Sequence, residues 1–168
     1  MTKSLGRTTG TSRELPQGHG ETVLVAEDED LVREVIGRML ENNGYRVLTA
    51  ADGEQSVARY AEHRDVVAAV LTDLMMPVMD GVTAIRALQK INPEVLIIVA
   101  TGIGSHPEVP ALKGLNVRHY LSKPFTLEAL LRKMQEVLGE HSDSPHDRLS
   151  DVLDGNAGPV RSCSPPIG

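Results

Sequence analysis

Four stretches of this chain place a polar or charged side chain where an apolar run ends. "TVLVAEDED" runs into Glu27, Asp28, Glu29 and Asp30, and "VVAAVLTD" ends on Asp73. "VLIIVAT" ends on Thr101, and "VRHYLSK" on Lys123. An unpaired buried carboxylate is costly, so Asp73 belongs at a rim open to water or a counter-charge. Carboxylates gathered within a few ångströms repel, and a bound cation relieves them. An all-oxygen donor set with open positions suits Mg²⁺, and no Cys/His cluster stands at zinc-ligand spacing. A hydroxyl (Thr101) and an ammonium (Lys123) beside that cation fit a phosphoryl group, whose transfer needs positioning and charge neutralisation. Asp73 is then the nucleophilic carboxylate.

These residues meet only if the elements before them end on one edge. The β-branched run 22–26 reads as a strand. In 30–44, apolar residues at 31, 32, 35, 36, 39 and 40 mark one helical face, opened by Asp30 as cap and closed by Gly44. Strand 45–50 follows, then a weaker helix over 52–64 with Asp52 and Gln55 at capping-box spacing. The apolar strand 66–72, helix 81–91 and the very hydrophobic strand 95–100 come next. A helix over 105–115, weakened by Pro107 and Pro110, a short strand 117–121 and an amphipathic helix 126–139 complete the pattern. Five strands alternating with five helices predict an α/β fold, a doubly wound parallel sheet with helices on both faces. Ligands of such sheets bind at the carboxyl ends of the strands, where the charged residues stand.

The chain has 168 residues, of which 40% are hydrophobic and only 2% aromatic, so its core is aliphatic. A net charge of −6 leaves no electrostatic footprint for nucleic acid or an anionic membrane. One cysteine, Cys163, and no apolar run long enough to span a bilayer predict a cytoplasmic protein. Residues 1–20 and 140–168 are rich in small and polar residues and read as disordered tails around one domain, 21–139. The stretch "DRLSDVLD" in the second tail reads as solvated. The six histidines are scattered and read as surface residues.

Residues 21–139 resemble the receiver domain of bacterial two-component response regulators. The resemblance rests on Glu27-Asp28 after "VLVA", "TDLMMPVMDG" around Asp73, "ATG" with Thr101 and "YLSKPF" with Lys123, in that order. It implies a flavodoxin-like sheet of order 2-1-3-4-5. It also implies that Asp73 accepts a phosphoryl group from a phosphohistidine of a sensor histidine kinase or phosphotransfer protein. Asp28 and Asp73 would ligate Mg²⁺ directly, with the Met75 backbone carbonyl as third ligand and Glu27 acting through water. Thr101 and Lys123 would stabilise the phosphoryl group, and Thr101 with Tyr120 would form the switch. Glu27 stands where aspartate is commoner in the family, which implies an altered Mg²⁺ affinity.

With 29 residues after position 139, the expectation is a switch without its own effector domain, acting on an unknown downstream protein, and not an enzyme. A second expectation is a receiver derived from, or working beside, a hybrid sensor kinase as a phosphate shuttle or sink. "LPQGHGETVLVAEDE" resembles the junction before such fused receivers. An aspartyl-phosphate phosphatase would want an acid two residues after Asp73, where Met75 stands. A flavin or nucleotide module would want a glycine-rich loop after the first strand, where four acids stand instead.

Overall fold

A computed structural model describes residues 15–102 and 110–142. Five strands, β1 (Thr22–Ala26), β2 (Arg46–Ala50), β3 (Val67–Asp73), β4 (Ile97–Thr101) and β5 (His119–Ser122), form one sheet of order β2-β1-β3-β4-β5. Every pairing is parallel. The helices are α1 (Asp30–Glu41), α2 (Gly53–His63), α3 (Gly81–Ile91) and α4 (Leu127–Ser142). The doubly wound architecture and the strand order agree with expectation. No described helix is long and apolar enough to cross a membrane.

The period-two alternation of strands sorts side chains onto two faces. Val23, Val25, Leu71 and Ile98 pack with Ile36, Leu40, Leu130 and Met134, on the α1 and α4 side. Leu24, Val70, Ile97 and Val99 pack with Tyr60, Ile85 and Leu88, on the α2 and α3 side. Because all strands are parallel and covered on both faces, their carboxyl ends share one edge and the loops there are free to carry chemistry.

Four local expectations are corrected. Asp30 does not cap α1: Glu29 holds the extended cap position, without a side-chain bond to the helix, and Asp30 is the first helical residue, paired with Arg33. The apolar face read in α1 is wider than the core it meets. Ile36 and Leu40 are buried, whereas Leu31 is 77% and Val35 51% exposed. Of the helix expected over 105–115, residues 110–115 are described. They hold only a single 3₁₀ turn, Pro110–Leu112, followed by Gly114 in the left-handed region at φ 86°, and 105–109 lie outside the described residues. His119 is buried in β5 with its Nδ1 3.7 Å from Glu136 of α4, while His19 is exposed as expected.

Residues 15–20, assigned from composition to the first tail, are joined to the domain. The Gly18 N–H donates to the Asn43 carbonyl at 2.7 Å, the Gly20 N–H donates to Gly44, and Leu15 packs against the core. Helix α4 extends to Ser142, three residues past the expected boundary at 139, because 140–142 continue its backbone pattern. Residues 1–14 and 143–168, with the rest of the expected tails and Cys163, lie outside the described residues.

Candidate functional site

Strand β3 delivers Asp73 as its last residue, paired in register with Ala100 of β4, so Thr101 stands one position beyond on the neighbouring strand. Thr101 is buried and in register with Ser122 of β5. Its carbonyl accepts the Lys123 N–H at 2.6 Å, which fixes the start of the loop that carries the lysine. On the other flank, the Glu27 N–H donates to the Ala50 carbonyl and extends the β1–β2 ladder by one residue.

The loop after Asp73 is held by close backbone approaches. A Cβ on Gly81 would lie 2.1 Å from the Asp73 carbonyl oxygen, and one on Gly53 would lie 2.5 Å from the Met79 carbonyl. Only glycine admits these contacts. Between them, Met79 N–H donates to the Pro77 carbonyl across Val78, a γ-turn with φ 66°, a conformation costly for a β-branched residue. Asp80 then caps α3 by accepting the Thr83 N–H at 2.8 Å.

The carboxylates of Glu27, Asp28 and Asp73 come together, each offering an oxygen within 4.8 Å of the others. Lys123 reaches into this group. Its Nζ lies 2.5 Å from Glu27 Oε2 and 2.5 Å from Asp73 Oδ2. Asp73 Oδ1 accepts the Met75 N–H at 3.1 Å. Met75 itself is 82% exposed. Glu29 and Asp30 point outward and stay exposed, outside the cluster.

Burial pushes the Glu27 carboxyl above its usual range, only partly offset by Lys123. Burial alone would lower Lys123, but its hydrogen bonds to Asp73 and Glu27 outweigh this and hold the ammonium above its usual range. The two directions are compatible: one ammonium balances only part of three gathered carboxylates. Glu27 Oε1 is fully buried and has no hydrogen-bond partner. Such an orphan is rare in a folded protein and costs stability. A cation or its hydration water beside the cluster would satisfy it. The all-oxygen donor set and this orphan oxygen both fit Mg²⁺.

Tyr120 lies in β5 on the α2 and α3 face, half-buried, its hydroxyl donating to the Val117 carbonyl at 3.4 Å. Burial raises its phenol above the usual range. Arg33 was not singled out in the sequence. Its Nη1 donates to the Glu27 carbonyl at 2.6 Å and to Asp28 at 3.3 Å, and so braces the acidic turn from α1. The only hint was an arginine one turn into a helix that follows four acids.

Residues 23–135 match the sequence profile of the response regulator receiver domain. "Response regulator MprA" of Mycobacterium sp. (strain KMS) is 36% identical over 140 residues, which cover 82% of this chain and 60% of that protein. "Sensor kinase CckA" of Brucella abortus (strain 2308) is 36% identical over 117 residues, 70% of this chain and 12% of the kinase. The chain thus spans about 60% or less of the length of these relatives. Among solved structures, the receiver domain of sensor histidine kinase PA1611 from Pseudomonas aeruginosa PAO1, with a magnesium ion coordinated in its active site cleft, superposes with a TM-score of 0.65. The two are 33% identical, and the match covers 71% of this chain and 98% of that one. With the profile spanning most of the chain and the strand order matching, this protein belongs to the response regulator receiver domain family of two-component signalling.

Proposed function

We propose that the protein accepts a phosphoryl group on Asp73 from a phosphohistidine of a sensor histidine kinase or phosphotransfer protein, in a Mg²⁺-dependent reaction, and thereby switches its binding to a downstream protein. The observation that carries this reading is the convergence of two further carboxylates, Glu27 and Asp28, and one ammonium, Lys123, on Asp73. In the transfer, an Asp73 oxygen attacks phosphorus and the P–N bond to the donor imidazole breaks. Its electron pair stays on the imidazole nitrogen. Lys123 and the Thr101 hydroxyl neutralise and hold phosphoryl oxygens, which is most of what this chemistry asks of a protein. Asp28, Asp73 and the Met75 carbonyl would hold Mg²⁺, with Glu27 in the outer shell. When bound, the ion supplies further neutralisation of phosphoryl charge.

A groove beside the site supports docking of such a donor. This groove, of about 460 Å³ between α1 and the 123–125 loop, is lined by Leu31, Val35, Met39, Pro124 and Phe125, with Lys123 at its end. A partner that reaches Asp73 past Lys123 would pack on this apolar surface, where Leu31 and Val35 are exposed. A second reading, a receiver that shuttles or stores phosphate beside a hybrid sensor kinase, is favoured by the match to a segment of a sensor kinase and to a receiver domain of another. Incubation with acetyl phosphate and Mg²⁺ tests the common core of both readings. The intact mass should rise by about 80 Da, and Asp73→Asn should abolish the gain. A wild-type chain that takes no phosphate would refute the proposal.

A further inference from the structure

We propose that Arg33 is a specificity-determining residue for the cation at the acidic turn: its guanidinium fills a second oxygen site beside the carboxylate cluster and keeps Ca²⁺ out of it. Three oxygens of the turn converge on this one group. Nη1 donates to the Glu27 carbonyl at 2.6 Å and to the Asp28 carbonyl at 3.3 Å, and Nη2 donates to Asp30 Oδ1. Both nitrogens belong to one rigid planar fork, so the oxygens are held around a single positive charge. Backbone carbonyls and a carboxylate are the donors that Ca²⁺ takes, at about 2.3–2.6 Å. The place is sheltered on the arginine side, where the side chain is 17% exposed, and open at Asp30, which is 87% exposed. Water entering there would complete the shell of an ion.

Ion size decides which cation would gain from an empty fork. Mg²⁺ sheds water reluctantly and demands a tight octahedron at about 2.0–2.1 Å, whereas Ca²⁺ accepts flexible, wider geometry. The turn resists contraction to the smaller ion, because it is fixed on both sides. The Glu27 N–H donates to the Ala50 carbonyl, and the Arg33 N–H donates to the Glu29 carbonyl. A dication on this turn would stand beside the cluster of Glu27, Asp28 and Asp73 and repel the ion held there. The guanidinium brings one positive charge instead of two and is covalently tied to its place. It takes only the carbonyls of Glu27 and Asp28, so their carboxylates remain for the cluster, and it holds Asp30 outside that cluster. The plug rests on the proposed Mg²⁺-dependent reading for its purpose, but not for its test.

That test is equilibrium dialysis of the metal-free full chain against CaCl₂ or MgCl₂, with NMR amide shifts to locate the ion. Wild type and Arg33→Lys, which keeps the charge, should bind the same number of Ca²⁺ ions. Arg33→Ala should bind one more Ca²⁺ per chain, with shifts centred on residues 27–33. Its preference for Ca²⁺ over Mg²⁺ should rise about tenfold or more. Asp30→Asn added to Arg33→Ala should remove the extra ion, which separates a defined oxygen site from a merely loosened turn. If Arg33→Ala loses its native amide fingerprint, Arg33→Met, which keeps an unbranched apolar stem, takes its place in both measurements. No extra Ca²⁺, an extra ion that survives Asp30→Asn, or an equal gain of Mg²⁺ overturns the proposal. A wild-type chain that binds no Mg²⁺ would refute the Mg²⁺-dependent reading of Asp73, while the calcium count in Arg33→Ala would still decide the plug.

Discussion

Arg33 reaches back from the first turn of α1 to the carbonyl of Glu27, at 2.6 Å, and ties the end of β1 to the helix that follows it. Its second nitrogen pairs with Asp30, so one guanidinium spans the whole acidic turn. Its side chain is 17% exposed, and the bonds to backbone oxygens are sheltered. Arg33→Ala should therefore destabilise the protein by about 1.5–3 kcal/mol, the range for a lost hydrogen bond to a charged group. Urea unfolding measures this. Arg38, whose bond to Glu34 lies on the surface, serves as the comparison, and its replacement by Ala should cost about 0.5 kcal/mol or less.

Gly81 is the tightest point near Asp73. A methyl group there would meet the Asp73 backbone at 2.1 Å, and backbone cannot swing away as a flexible side chain can. Gly81→Ala should cost about 1–3 kcal/mol, as overpacking does, and should slow phosphate uptake by displacing Asp73. By contrast, Gly102→Ala meets nothing within 4 Å and should leave stability nearly unchanged. Thermal unfolding of the two variants side by side checks the contrast.

Asp80 should give a small acid-side signature. Its bond from the Thr83 N–H holds its carboxyl below the usual range. A carboxyl depressed on folding adds stability that is present above its unfolded value, near 3.8, and is lost as pH falls through the folded value. Asparagine caps about equally well without titrating. Wild type should thus hold a slight advantage over Asp80→Asn at neutral pH that disappears below pH 3.8. Asp80→Ala should lose about 1 kcal/mol, the worth of an N-cap. Urea titrations at several pH values read both effects.

Output should run from Thr101 toward β5. Thr101 follows Ala100, the register partner of Asp73, and its hydroxyl is a neutral donor that can turn toward new phosphoryl oxygens. Tyr120 lies on the neighbouring strand, paired with Val99, and its single hydroxyl bond at 3.4 Å is weak enough to exchange. Beryllofluoride with Mg²⁺ should shift amides of 101–102 and 110–123 more than those of 31–41. Thr101→Ala should keep phosphate uptake but lose the remote shifts. Larger changes in α1, or an unaltered pattern in Thr101→Ala, would contradict this route.

The legible part of the molecule was the part written in local pattern. Asp73, Thr101 and Lys123 each end an apolar run, so period and polarity placed them at strand ends, and the parallel sheet did the rest. The Glu27–Lys123 contact joins residues 96 apart and depends on side-chain reach, which no periodicity encodes. Arg33 looked like an ordinary surface charge because its partners are carbonyls, which every residue has. The Asp30 cap failed because Glu29 takes the extended backbone and leaves Asp30 to begin the helix. His119 was misread because a four-residue strand is too short to show which of its faces is buried.

The central claim is that phosphate forms a covalent bond to one carboxylate, and its site can be read directly. After incubation with acetyl phosphate and Mg²⁺, borohydride reduces an aspartyl phosphate to homoserine, which lowers the mass of the peptide that carries it by about 14 Da. The loss should fall on Asp73 alone, and EDTA added before the phosphodonor should abolish it. Homoserine at any other aspartate, at Asp73 despite EDTA, or at no position would contradict the account.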